Sequence, residues 1–396
     1  MSLIKNLALL MVSLLFSYLL LVIGDLYIFR VISDVAGPLT DSDSITKASD
    51  IENKRRLEED IPQRKRALKD GFTPFIYPSF MDGLSIEFPM FAGLPSTDTY
   101  LCNEGYGLIR YRSDRFGFRN KDENWDFSPK AIIIGDSFVH GACVSEDDTL
   151  SAQLSEIYGE VVLNLGVSDT HSTHYRTYAE LFVPKLKPSN LFLVFYANDF
   201  GIFRKSAIEK AYVDDRLDPF SSDKLMLFDE EVFIATGTQV LKEVLGTTNK
   251  DESKSPKNLI HRIILAVIRH AKLPVINSLL ISDEKQFVET ENAIKSVNNL
   301  CNVYKCALTV VFIPNSKFFR PDPRADRYGE LIKNLSNSLM IKFVDGRNVI
   351  DRSSSSPDFA IRGAHLSPVG LKKLSNYIFQ VDQDSHLDNA LIPRKR

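Results

Sequence analysis

Residues 131–137 read Ala-Ile-Ile-Ile-Gly-Asp-Ser, an apolar run that stops at a glycine, an acid and a serine. A serine at a strand-to-helix turn holds its hydroxyl above the sheet, with its own N–H at the positive end of the next helix. Ser137 is therefore a candidate nucleophile for acyl transfer; the plainer reading of the same position is a helix N-cap. A neutral hydroxyl is a weak nucleophile, so the first reading needs a base, and imidazole, titrating near pH 6.5, suits that role. His140, His171 and His174 fall near the ends of the first two strand-like runs and are candidates to line a pocket there. His365 stands just before Ser367-Pro368, an N-cap and N1 pair that opens the last helix and fixes the loop ahead of it. Its plainer reading is a turn histidine satisfied by backbone.

Positioning such groups is the work of regular elements. Short runs rich in β-branched and aromatic residues occur at 131–134, 161–166, 190–195, 307–313 and, more weakly, 341–345. That composition marks strands buried on both faces. Helical stretches are predicted at 150–158, 174–185, 289–303, 327–339 and 368–381. The alternation predicts an α/β fold, a doubly wound parallel five-stranded sheet with right-handed crossovers and flavodoxin-like architecture. Chemistry in such sheets lies just beyond the carboxyl ends of the strands, which is where Ser137 falls.

The strand ends carry a further pattern. Ile134-Gly135-Asp136-Ser137-Phe138 resembles the first block of the SGNH/GDSL hydrolases. Asn164-Leu165-Gly166-Val167-Ser168-Asp169 is similar to their second block, Tyr196-Ala197-Asn198-Asp199 to the third, and His365-Leu366-Ser367-Pro368-Val369-Gly370 to the last. The segment Ser-Asp-Arg-Phe-Gly-Phe-Arg at 113–119 agrees with it, and the resemblance spans about 113–380 apart from an insertion at about 200–285. It implies an SGNH fold, Ser137 as nucleophile and His365 as base. The oxyanion hole would be the N–H of Ser137, the backbone at Asp169 and the side-chain amide of Asn198. No metal and no organic cofactor is implied. Three positions depart from the family. Asp169 and Tyr196 stand where it has glycine, and Arg362 stands where it has an aspartate, three residues before the histidine. The nearest upstream acid is Asp358, which would orient His365 if the loop bulges; otherwise the site is a Ser–His dyad or the acid comes from elsewhere.

The rest of the chain sets the context. It has 396 residues, 44% hydrophobic and 25% charged, with net charge -3, which allows a packed core and gives no basic surplus for nucleic acid. Residues 7–23 are almost unbrokenly apolar, with Lys5 before and Asp25 after. That length exceeds a signal-peptide core of about 7–15 residues and matches a bilayer's hydrocarbon, so residues 1–24 are expected to be a transmembrane signal anchor. The bulk of the chain is then expected on the periplasmic or extracellular side. A charged stalk at 25–71, with a solvated helix interrupted at Pro62, and an irregular Pro-, Gly- and aromatic-rich extension at 72–127 lead into a hydrolase domain at 128–382. An α+β insertion at about 200–285 interrupts that domain, with a possible hairpin at 225–235 and a helix at 259–271; residues 383–396 form a polar tail. The four cysteines allow three pairings, of which Cys102 with Cys143 is favoured because both flank the active-site edge. With no CxxC pair, a zinc site is not expected. The functional expectation is a membrane-anchored serine esterase that hydrolyses or transfers O-acyl groups on an envelope or capsular glycan or a small ester. The alternative is a catalytically inactive glycan-binding or assembly protein of the same fold.

Overall fold

The computed structural model describes residues 60–78, 90–201, 206, 208–214, 283–320, 322 and 324–390. These fall almost entirely in one of the two units into which the chain divides, 46–235 with 287–396. The expected anchor, most of the stalk, the hairpin at 225–235, the helix at 259–271 and the end of the tail lie outside the described residues. Among the described residues, no helix is long and apolar enough to cross a membrane.

The charged segment ends in a helix, α1 (Ile61–Lys69), with Pro62 in its first turn. Proline lacks an N–H that this turn would leave unused, so Pro62 starts the helix rather than interrupting it. Nor is this stretch a free stalk. Ala67 is fully buried, Gln63 accepts from the Asn103 amide at 3.2 Å, and Asp70 pairs with Arg110 at 3.2 Å. The extension then forms a small sheet of three strands, β1 (Thr73–Pro74), β2 (Asp98–Tyr100) and β3 (Arg110–Arg112). β2 pairs parallel with β1 and antiparallel with β3, so residues 101–109 make the loop of a hairpin.

The main sheet is built from β4 (Ala131–Gly135), β5 (Val162–Gly166), β6 (Asn190–Phe195), β7 (Ala307–Phe312) and β8 (Lys342–Asp345). Its order is β5-β4-β6-β7-β8 and every pairing is parallel. Helices α2 (Ser137–His140), α3 (Leu150–Tyr158), α4 (Ser172–Leu186), α5 (Asp283–Tyr304), α6 (Ala325–Ser338) and α7 (Pro368–Ala390) connect and cover it.

Alternate strand residues serve two cores, as the two-residue period requires. Ile132, Ile134, Leu191, Leu193, Val310 and Phe312 face α4, α5, α6 and the aromatic extension, where Phe91, Phe116, Phe118 and Trp125 crowd around Phe182. Ala131, Ile133, Phe192, Val194, Val311 and Val344 face α3 and α7. The chain leaves β4 toward β5 and returns on the other side to β6. β4 is thus the switch point, and a crevice opens past its carboxyl end.

Candidate active site

Ser137 follows that switch-point strand. Asp136 caps the short α2, its Oδ1 accepting the Phe138 N–H at 3.0 Å, and the turn leaves the Ser137 side chain partly open. α2 lies directly on β5: a Cβ at Gly166 would fall 2.3 Å from the His140 nitrogen, so only glycine allows the approach.

His365 arrives from 228 residues away. Phe359 and Leu366 bridge antiparallel, and the Ala360 N–H donates to the His365 carbonyl at 2.9 Å, which closes 359–366 into a tight loop. The imidazole Nε2 stands 2.8 Å from Ser137 Oγ. On its other side, Nδ1 stands 2.8 Å from Oε1 of Glu104, at the tip of the β2–β3 hairpin. Glu104 Oε2 accepts the His365 N–H at 3.2 Å, and the Ala364 N–H also bonds the carboxylate. Gly363 leaves room for it, since a Cβ there would sit 1.8 Å from the Glu104 Cδ. An ionised carboxylate can only accept, so Nδ1 carries the ring proton and Nε2 is left to receive the proton of Ser137.

The electrostatics agree with that direction. Burial alone would raise the pKa of Glu104, but the charge and hydrogen bonds of His365 and the Ala364 N–H outweigh it and hold the carboxyl below its usual value. Burial alone would lower His365, yet the charge and hydrogen bond of Glu104, with Asp136 beyond, raise it above 6.5, against an opposing push from Arg320. The imidazolium that forms when a serine gives up its proton is thus stabilised in place.

Three features fix the Glu104 loop. Cys102, two residues earlier, is disulfide-bonded to Cys143, just past α2, as the sequence suggested. The Asn103 Oδ1 accepts the N–H groups of Gly105 (2.9 Å) and Gly107 (3.2 Å), which shapes the tip. Arg119, fully buried, donates to the carbonyls of Gly141 (2.7 Å) and Val144 (3.1 Å) and pairs with Glu146 (3.0 Å), pinning the turn that holds Cys143. The motif at 113–119 is therefore scaffolding. Beside Arg119, the Asp114 carboxylate accepts from Phe116 N–H, Phe118 N–H, Asn120 and Trp125. The second disulfide joins Cys301 and Cys306 at the far end of α5. Glu104, Cys143 and His365 offer ligand atoms within 4.8 Å of one another, but the sulfur is bound to Cys102 and presents no thiolate to a metal.

The expected acid, Asp358, is not the partner of His365. It is fully buried on the other side of the loop, where Oδ2 accepts the Asp351 N–H at 2.8 Å and Lys373 pairs with Oδ1 at 2.7 Å. Its carbonyl takes the Ser367 N–H at 2.9 Å, so Asp358 secures the start of α7. The loop turns tightly instead of bulging, and its open side faces the hairpin. Sequence reasoning missed Glu104 because it comes from the extension, 261 residues from His365. A signal was present: pairing Cys102 with Cys143 places residue 104 next to the nucleophile's turn.

Asn198 joins Ser137 and His365 in lining a cavity of about 270 Å3. Asp199, fully buried, accepts from Tyr175 OH and from the Tyr196 N–H at 2.7 Å, which sets the turn that turns Asn198 outward. The Asn198 amide lies near enough to Asp136 to offset part of the rise that burial imposes on that carboxyl. Tyr196, in place of a glycine, packs its ring 4.4 Å from Phe138 and narrows the cavity. Asp169 has a left-handed backbone (φ 69°) and an exposed side chain, and does not line the cavity. Arg362 does line it, and its N–H donates to the Glu104 carbonyl at 3.1 Å.

The three other candidate histidines, His140, His171 and His174, lie off this cavity. His140 is buried between Tyr111 OH and Ser168 Oγ, each at 2.9 Å, and burial lowers its pKa to about 3, so it is a neutral core group. His171 precedes α4, and His174 is buried within it; burial lowers their pKa values to about 4 and about 3.

No protein-family model matches the chain, and no curated protein matches it. Solved structures do match. They include TesA (9% identity, 63% of this chain and 96% of that one, TM-score 0.36). A GDSL-like lipase from Bacteroides thetaiotaomicron matches at 11% identity over 66% and 95%, TM-score 0.35. A catalytic mutant of an acetylxylan esterase from Geobacillus stearothermophilus matches at 14% over 64% and 94%, TM-score 0.36. Likeness at that level says nothing about this chain's activity, which rests on the geometry of its own site.

Proposed function

We propose that this protein is a serine esterase in which Ser137 is the nucleophile, His365 the base and Glu104 the acid that orients it. One observation carries the reading: three side chains from distant parts of the chain form a continuous relay, with 2.8 Å from Ser137 Oγ to His365 Nε2 and 2.8 Å from Nδ1 to Glu104. In the reaction, Ser137 attacks the ester carbonyl as His365 takes its proton. The oxyanion forms beside the Ser137 N–H and the Asn198 amide. His365 then protonates the leaving alcohol, and an acyl-serine remains for water or an acceptor hydroxyl. The reading as an inactive binding module drew on Arg362 at the acid position and Asp169 at an oxyanion position; Glu104 beside His365 speaks against the first, and the exposed Asp169 side chain, off the cavity, against the second.

The substrate reading is an O-acyl group on an envelope or capsular glycan, handled by an enzyme anchored through residues 7–23 with its domain outside the cytoplasm. The nearly unbroken apolar run supports it, as does the pairing of all four cysteines, which suits an oxidising compartment. The test is hydrolysis of a short-chain aryl ester by the full chain in detergent. Wild type should turn over and Ser137→Ala should fall to the uncatalysed rate; equal rates would overturn the reading.

A further inference from the structure

The cavity beside Ser137 is small, and its charged lining holds more basic than acidic residues. Its lining includes two arginines, Arg320 and Arg362, and the aromatic residues Phe138, Tyr196 and Phe319. The acids within reach are committed. Glu104 is held by His365 and the N–H groups of Ala364 and His365. Asp136 is buried beneath the floor, capping α2. Asp322, close in sequence to Arg320, turns to Arg324, accepting its backbone N–H at 2.8 Å with the side-chain Nε at 3.4 Å. Asp326 pairs with Arg352 at 2.6 Å. Among the described residues Arg320 has no acidic partner.

Arg320 is nevertheless on a built loop. Its N–H donates to the Ser316 carbonyl at 3.2 Å, and its carbonyl accepts from the buried Asn315 amide at 2.7 Å. Asn315 is clamped in turn by Arg352, at 2.7 Å on its side-chain oxygen and 3.1 Å on its carbonyl. The charge of Arg320 acts on both His365 and Tyr196, opposed at Tyr196 by Asp136, Asp322 and Glu104. Arg320 is exposed and held through its backbone, and a cation beside an ester-cleaving serine works against the base, which must gain a positive charge, unless an anion arrives with the substrate.

We propose that the ester taken by this site carries a carboxylate near its scissile bond, with Arg320 as the residue that reads it. The planar guanidinium fork matches a carboxylate bidentately, and the aromatic walls suit the face of a ring. A sugar acid acylated on a hydroxyl has both features. This rests on the esterase reading and names its substrate class.

The test uses two O-acetylated monosaccharides with the acetyl at the same position, one a uronic acid and the other its neutral counterpart, with the full chain in detergent. The readout is the ratio of kcat/KM for the acid to that for the neutral sugar, taken within each variant so that a general loss of activity cancels. Wild type should prefer the acid by about 10- to 100-fold, the size of one charge-assisted hydrogen bond. Arg320→Gln should bring the ratio toward one, mainly through KM, and Arg320→Glu should invert it. A wild-type ratio near one, with both sugars cleaved, overturns the carboxylate proposal and leaves the esterase reading standing. So does a ratio unchanged in Arg320→Gln. Cleavage of neither sugar, together with no turnover of an aryl ester, overturns both.

Discussion

Replacing Glu104 by glutamine keeps the size of the side chain and removes its charge. The charge sits 2.8 Å from a ring that becomes an imidazolium as Ser137 attacks. At that separation a unit charge pair is worth about 6 kcal/mol at an effective dielectric of 20 and about 1.5 kcal/mol in bulk water. The side chains of His365 and Glu104 are 23% and 16% exposed, so the contact lies between those limits. Taking roughly 4 kcal/mol, and about 1.4 kcal/mol per tenfold in rate, kcat should fall by about 10³. An amide can also donate to Nδ1 and so favour the wrong tautomer, the fault behind losses of about 10⁴ in well-studied triads. The assay is aryl-ester turnover across pH, with a thermal melt to show that the variant is folded. Asp358→Asn is the contrasting variant: it breaks the contacts to Asp351 and Lys373 and should lower the melting temperature while keeping kcat within a few-fold. A folded Glu104→Gln protein with kcat within threefold of wild type would refute the reasoning.

Other consequences follow from the same contacts. Because His365 is raised above its ordinary 6.5 and must be neutral to accept a proton, activity should climb with pH through a midpoint above 6.5. In Glu104→Gln that midpoint should move down, and a pH-rate profile reads both. Reducing the Cys102–Cys143 bond frees the hairpin that holds Glu104, so Cys102→Ser/Cys143→Ser should lose at least tenfold in kcat, while Cys301→Ser/Cys306→Ser, remote from the site, should not. Arg119→Met leaves the carbonyls of Gly141 and Val144 without their donor and should destabilise the fold by about 2–4 kcal/mol, read by denaturant titration.

What the sequence made legible and what it hid have separate physical causes. The five strands were readable because a strand buried on both faces leaves a dense local run of apolar residues, as in Ala131–Gly135 and Asn190–Phe195. Ser137, Asn198 and His365 were picked out because the short blocks around them resemble those of a known hydrolase family; the local turns, such as the Asp136 cap and the Asp199 brace, were by themselves compatible with a plain structural role. Glu104 obeys no such local rule. Its place depends on a hairpin whose tip meets distant segments through a disulfide and the gap at Gly363. Asp358 misled for the complementary reason: nearness along the chain suggested a partner, but a tight loop turned it toward α7. Arg119 stood in a segment that agreed with the resemblance but had no assigned role; its burial shows it to be a brace.

The central claim is that Ser137 is an activated nucleophile, and a fluorophosphonate probe tests it most directly. Peptide mapping of the labelled full chain should place a single adduct on Ser137, formed rapidly in wild type and slowed by orders of magnitude in His365→Ala and Glu104→Gln. A folded wild-type protein that takes no label, or takes it equally well after either substitution, would contradict the account.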